Sequence, residues 1–126
     1  MKNPEFLDTE TIFKLHAVSL HRFGGTEGVH DLGLIESALG SAQNTFYYGN
    51  GDLSDIAASY AFHLAQAQAF LDGNKRTAVI AALTFLELNG VKKTPSNIEI
   101  YDAMIAIAEK RLDKGGFAEM FRRAAV

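Results

Sequence analysis

The sequence predicts an all-α protein, a compact helical bundle in which two central helices bury each other. Three observations carry this. Only Pro4 and Pro95 stand in 126 residues to interrupt helices. Apolar residues recur at spacings that line one helical face. No segment of useful length alternates apolar and polar residues with the period of two that a strand requires.

Asp8 or Thr9 is a plausible cap for the first helix, whose apolar residues Ile12, Leu15, Ala17, Val18 and Leu20 suit one stripe. Gly24-Gly25 ends it. Asp31 caps a second helix carrying Leu34, Ile35, Ala38 and Leu39 on one face. A loop is expected from Asn44 to Gly51, with Phe46, Tyr47 and Tyr48 inside it.

Asp52 or Ser54 starts a third helix, apolar on most sides through Ile56, Ala57, Ala58, Tyr60, Ala61, Phe62, Leu64 and Ala65. A helix apolar nearly all round belongs in the middle of a bundle, and its alanines let neighbours approach. The fourth helix runs from about Lys75 to Leu88, with Val79, Ile80, Ala82, Leu83, Phe85 and Leu86 as core, and stops at Asn89-Gly90. Val91 to Thr94 has the character of a brief extended stretch. Ser96 or Asn97 caps a fifth helix with Ile98, Tyr101, Met104, Ile105, Ile107 and Ala108 inward. Asp113 to Gly116 reads as a turn and Phe117 to Arg123 as a short last helix.

Residues 1–126 fit a single domain, long enough to bury about two thirds of the surface its unfolded chain exposes. Without cysteine, disulfides and thiolate metal sites are excluded. A net charge of -3 provides no global field for nucleic acid, and direct nucleic-acid binding is not expected. The short basic pairs Lys92-Lys93 and Arg122-Arg123 read as solvated helix-end charge. The start, Met1-Lys2-Asn3-Pro4-Glu5, lacks the apolar run of a signal peptide, and no segment has the ~20 apolar residues of a membrane span. The expectation is a cytoplasmic protein with no membrane partner.

Chemistry concentrates in Gln68-Ala69-Phe70-Leu71-Asp72-Gly73-Asn74-Lys75-Arg76-Thr77, the most polar interruption of the apolar core sequence. A loop that opens a helix presents unpaired N–H groups and the positive end of the helix dipole, which favour phosphate. Gly73 lets backbone approach a ligand, and Asn74 can cap the helix or bond a phosphate. Lys75 and Arg76 put cations where the dipole disfavours them, so an anionic ligand is the natural compensation. Asp72 beside phosphate oxygens suits Mg²⁺, which takes one or two carboxylates plus substrate phosphates. Phe70 is expected to point inward and anchor the loop. An ordinary capped helix with Lys75 and Arg76 in solvent remains the alternative.

Phe70-Leu71-Asp72-Gly73-Asn74-Lys75-Arg76-Thr77-Ala78 resembles the signature loop of the Fic/Doc family, in which the order is His, any residue, Phe, any residue, Asp or Glu, Gly or Ala, Asn, Gly or Lys, Arg. Lys75 is similar to the Doc (death-on-curing) branch, whereas AMP-transferring Fic enzymes usually carry glycine there. Gly24-Gly25, Gly28 to Asp31, Leu34 to Leu39 and Phe85 to Gly90 also look like Doc-type sequence, so the resemblance covers roughly residues 10 to 95 in order. It implies that Asp72 holds Mg²⁺, that Gly73, Asn74 and the following amides cradle the phosphates of ATP or another nucleotide, that Lys75 and Arg76 neutralise their charge, and that Phe70 fixes the loop. It further implies a toxin of a toxin–antitoxin pair, a kinase-like enzyme that phosphorylates a threonine of elongation factor Tu. A small antitoxin folds its C-terminal segment onto such proteins.

One position departs from the pattern. Gln68 stands where the family has its catalytic histidine, the general base for the attacking hydroxyl. An amide has no proton acceptor that titrates in the physiological range, so phosphoryl transfer by this chain is expected to be severely reduced while the nucleotide site persists. Gln68 is either an engineered inactivating change or a natural mark of a weakened or binding-only relative. His63, five residues earlier, is rotated about 500°, or ~140° away, on a helix, and reads as a structural or partly exposed histidine. His16, His21 and His30 read likewise, with no metal-binding spacing. Two alternatives accompany the Doc-type reading: a Fic-type AMP transferase acting on a protein hydroxyl, and a non-catalytic helical module for an antitoxin or another partner, with Phe46-Tyr47-Tyr48 as its candidate patch.

Overall fold

The computed structural model describes residues 3–126. Among them are six helices and no strand: α1 Thr9–Phe23, α2 Leu32–Tyr47, α3 Leu53–Ala67, α4 Asn74–Leu88, α5 Asn97–Ala108 and α6 Lys114–Ala124. The all-α expectation holds. The stretch from Val91 to Thr94 is irregular and pairs with nothing as a strand. No helix among the described residues is long and apolar enough to cross a membrane.

Five helices begin with a side chain that accepts from the first turn. Asp8, Asp31, Asp52, Ser96 and Asp113 receive the amides of Thr11, Leu34, Asp55, Glu99 and Gly116. Each such cap satisfies a donor that has no partner inside the helix and contributes on the order of 1 kcal/mol. The remaining helix, α4, starts at Gly73 with no side-chain cap.

The centre of the bundle is α3 against α4. Ile56, Ala57, Ala58, Tyr60, Ala61 and Leu64 are buried on α3, and Ala78, Val79, Ala81, Ala82, Phe85 and Leu86 on α4. The alanines permit the close approach that the sequence implied. Around this pair, α2 and α6 pack on α3, while α1 and α5 pack on α4. Tyr60 is wholly buried and its hydroxyl accepts the amide of Leu7, which fastens the N-terminal segment to α3. Burial pushes that phenol up to about 12.

Several sequence expectations need correction. Ala17 and Val18 face outward on α1, whose buried residues are Ile12, His16 and Ser19. Leu34 is exposed, and α2 continues through Phe46 and Tyr47 instead of giving way to a loop. Phe46 packs on the core, whereas Tyr48 projects into solvent. On α5, Ile98, Ile105 and Ala108 are exposed, and the buried set is Ile100, Ala103 and Met104. Lys114 to Gly116 is the first turn of α6, not a separate turn, because Asp113 caps it. The misjudged faces of α1, α2 and α5 share a cause. A helix carrying more apolar residues than one face can hold does not declare which face its neighbours cover.

Arg122 on α6 grips the start of α3. Its guanidinium reaches Asp52 at 2.9 Å, Asp55 at 2.9 Å and Glu119 at 2.6 Å. The hydrogen bond from Arg122 holds the Asp52 carboxyl at about 2, below its ordinary 3.8. A carboxylate whose folded pKa is depressed stabilises the fold fully above its unfolded pKa and loses that contribution as pH falls through the folded value. Stability is therefore expected to decline between about pH 4 and pH 2. Arg122→Ala should flatten that limb in unfolding midpoints measured across the window, and a limb of unchanged slope would mean that other groups set it.

Candidate functional site

The loop between α3 and α4 is built by its own residues and by α1. Gln68 ends α3 in the left-handed conformation, φ 49° and ψ 45°, which costs a non-glycine residue about 1 kcal/mol and reverses the chain direction. Ala69 and Phe70 then turn into the core. The Phe70 ring stacks on His16, centroids 3.7 Å apart, and meets Phe13 edge-on at 6.1 Å. Its inward, anchoring position is as expected.

The segment leaving α1 runs alongside this loop. Val29 and Phe70 form an isolated antiparallel bridge. The amides of His30 and Asp31 both donate to the carbonyl of Ala69, and the amide of Leu71 donates to that of Gly28. Gly25, at φ 127°, lies so near that a Cβ there would stand 2.8 Å from Asp72 Oδ2.

Asn74 does not cap α4. Its side-chain oxygen accepts the amide of Phe70 at 3.0 Å and its NH₂ donates to the Phe70 carbonyl at 2.9 Å. One amide thus closes the loop from both sides. The consequence is felt at the helix start. Gly73 gives its amide to Asp72 Oδ1, and the amides of Asn74, Lys75 and Arg76, at the head of the α4 dipole, have neither an intrahelical acceptor nor a side-chain cap. Gly73 adopts φ 77°, a conformation that favours glycine, and a Cβ there would stand 3.3 Å from Arg76 Nη2, so the guanidinium would have to give slightly.

Asn74→Ala is expected to leave the amide and carbonyl of Phe70 unpaired, lowering stability by about 1–3 kcal/mol. Chemical denaturation measures this. An unchanged midpoint would show that water replaces the side chain without loss.

Asp72 is exposed, and two amides fix its carboxylate: Thr26 donates to Oδ2 at 3.1 Å and Gly73 to Oδ1 at 2.8 Å. These bonds, the Thr26 one foremost, hold its carboxyl below the usual carboxylate range, with Arg76 and His16 adding to the effect. Arg76 donates to the carbonyl of Gly24 at 3.0 Å and lies over the Phe23 ring. It therefore ties α1 to α4 as well as bordering the loop. Lys75 is exposed.

These residues converge. Gln68, Leu71, Asp72, Gly73, Asn74, Lys75 and Arg76 line one open cavity of about 360 Å³ together with Ala65. Phe70 stands behind it as support. A second cavity of about 280 Å³ adjoins it, walled by Phe62, Met104 and Ile107, and Ala65, Gln68 and Lys75 border both. No cluster of three or more histidine, aspartate or glutamate side chains fit to hold a metal occurs among the described residues. Asp72 offers a single ionised carboxylate, which matches a cation brought in with phosphates and not a cage made by the protein alone.

His63 is placed as the sequence reading expects, and His16 is not. His63 is half-buried and its Nε2 accepts from Lys114 at 2.8 Å, away from the loop. Burial, and then the Lys114 charge, push its pKa down. His16, read from the sequence as merely structural, is buried against the loop, with Nε2 2.8 Å from the carbonyl oxygen of Asp72. The available signal was its position, four residues after Ile12 and three before Ser19, on the face of α1 that the core covers.

Known proteins share this arrangement of sequence. The family model described as Fic/DOC family matches residues 6–86, a span from the N-terminal segment through most of α4. The chain is 33% identical over 118 residues to the "Protein kinase doc" of Escherichia phage P1, covering 93% of each protein. It is 41% identical over 90 residues to the "Toxin Doc" of Mycolicibacterium smegmatis, covering 70% of this chain and 67% of that one. The matched span holds the complete loop and every residue that lines it, and the chain belongs to the Fic/Doc family.

Proposed function

We propose that this chain is a Doc-type toxin whose loop binds a nucleoside triphosphate, ATP or a relative, with Mg²⁺, and serves transfer of the γ-phosphate to a protein hydroxyl. The observation that carries this reading is the uncapped start of α4. Three amides, the helix dipole, Lys75 and Arg76 face one cavity, with the Asp72 carboxylate at its edge. Such a set neutralises and orients phosphates, which is most of what phosphoryl transfer asks of a protein. The names of the two relatives, a protein kinase and a toxin, support the same class.

Within this reading each residue has a task. The amides of Asn74, Lys75 and Arg76 hold phosphate oxygens. The Asp72 carboxylate would hold Mg²⁺, which would supply charge neutralisation to the phosphates. Lys75 offsets further charge, and Arg76 does so while bracing Gly24. The hydroxyl oxygen of the acceptor attacks the γ-phosphorus, the bond to the β-bridging oxygen breaks, and the nucleoside diphosphate leaves. The acceptor's proton needs a base. Gln68 stands at the cavity with an amide that cannot take it. The chain is accordingly impaired in transfer while remaining competent to bind nucleotide. A threonine of elongation factor Tu is the proposed acceptor, blocked translation the outcome, an antitoxin the proposed partner and the cytoplasm the proposed location.

The test is a calorimetric titration with MgATP, followed by labelling of elongation factor Tu with γ- and α-labelled ATP by the chain carrying Gln68→His. Saturable binding and γ-label transfer are expected. Transfer of α-label would instead make it an AMP transferase, and absence of nucleotide binding would leave a helical interaction module.

A further inference from the structure

We infer that His16 is a positioning residue of the nucleotide site, acting through the backbone of Asp72 to hold the loop in its anion-binding shape; the functional half of this inference rests on the reading just given. His16 lies seven residues before the end of α1 and is about 5% exposed. A buried imidazole needs partners for its polar atoms. Here Nε2 lies 2.8 Å from the Asp72 carbonyl oxygen, so Nε2 carries the proton and donates. The ring face is spent on Phe70, stacked at 3.7 Å with only 9° between planes. One side chain therefore fixes the loop at two points, the side chain of residue 70 and the carbonyl of residue 72.

Those two points decide where the amides aim. Turning the Asp72 carbonyl toward α1 sets the peptide plane between Asp72 and Gly73. Gly73 follows at φ 77°, its Cα so near the imidazole that an added Cβ would sit 3.7 Å from Nε2. The next three residues carry the uncapped amides. The same peptide group also aligns the Asp72 carboxylate, which takes the Gly73 amide on Oδ1 and the Thr26 amide on Oδ2. His16 thus governs both the phosphate donors and the carboxylate without touching either. It is buried, with Nε2 committed to the Asp72 carbonyl, and so is not placed to replace the missing base at position 68.

Two substitutions separate the imidazole's roles. His16→Phe keeps a ring against Phe70 and removes the donor. His16→Gln keeps a donor near the Nε2 position and removes the stack. Hydrogen exchange is read in the free protein at the amides of Phe70, Leu71 and Thr77, whose acceptors are Asn74 Oδ1, the Gly28 carbonyl and the Gly73 carbonyl. Loss of one neutral hydrogen bond predicts about three- to tenfold faster exchange there in His16→Phe, with the α4 amides from Val79 to Leu86 unchanged, and partial return in His16→Gln. MgATP affinity should fall by a similar factor in His16→Phe and recover in His16→Gln.

Unaltered exchange at the three loop amides in His16→Phe overturns the inference. So does a uniform acceleration along α4, which would mark a purely global effect on stability. If exchange responds as expected but the unsubstituted chain fails to bind MgATP, the nucleotide reading falls and the role of His16 in shaping the loop stands.

Discussion

Replacing Gln68 with histidine is expected to raise phosphoryl transfer by about 10²- to 10⁴-fold, the usual contribution of a positioned general base. The gain should appear in kcat, because Gln68 borders the cavity while the proposed phosphate cradle is assigned to the α4 amides and Lys75. Affinity for MgATP should change little. The backbone favours the substitution, since position 68 holds φ 49° and histidine is among the side chains that tolerate the left-handed region better than most. The measurement is initial-rate transfer of γ-label to elongation factor Tu by both chains, with nucleotide binding determined in parallel. Equal rates in both would show that the base is supplied elsewhere. No transfer by either, despite bound nucleotide, would mean that the acceptor or the reaction class is wrong.

Phe85→Ala is expected to cost about 3–5 kcal/mol in chemical denaturation, a large share of the roughly 5–15 kcal/mol that a domain of this kind possesses. The ring is completely buried between the two central helices, 5.2 Å from the Tyr60 ring and 6.3 Å from Phe6. Removing it sacrifices both transfer free energy and contacts that the surrounding helices cannot close over. Ile98→Ala serves as the comparison. Ile98 looks like a core residue in the sequence yet is 73% exposed, so its truncation should stay within about 0.5 kcal/mol. Similar losses at the two positions would contradict the burial pattern of α4 and α5.

The Gly73-Asn74-Lys75-Arg76 run supports the proposed anion site because glycine, an amide and two cations at a helix start conflict with helix stability unless something negative offsets them. Helix caps were legible for the same local reason: a capping side chain reaches only its own first turn, so Asp8, Asp31, Asp52 and Ser96 could be named as candidates beforehand. Local rules did not reach Asn74. Its cap-like position suggested helix duty, but the amide and carbonyl of Phe70 lie within its reach once the loop closes, and two hydrogen bonds prevail over one.

The lack of a titratable side chain at position 68 is read directly from the sequence, and the order of helices and the central place of the α3 and α4 segments follow from residue types and spacings, which act over a turn or two of chain. The choice of buried face on α1 and α5, the extension of α2 through Phe46, and the arrival of His16 beneath Phe70 and Asp72 do not. They depend on contacts between residues as much as 56 positions apart. Periodicity offers each helix several nearly equivalent faces, and only the simultaneous packing of all six selects among them.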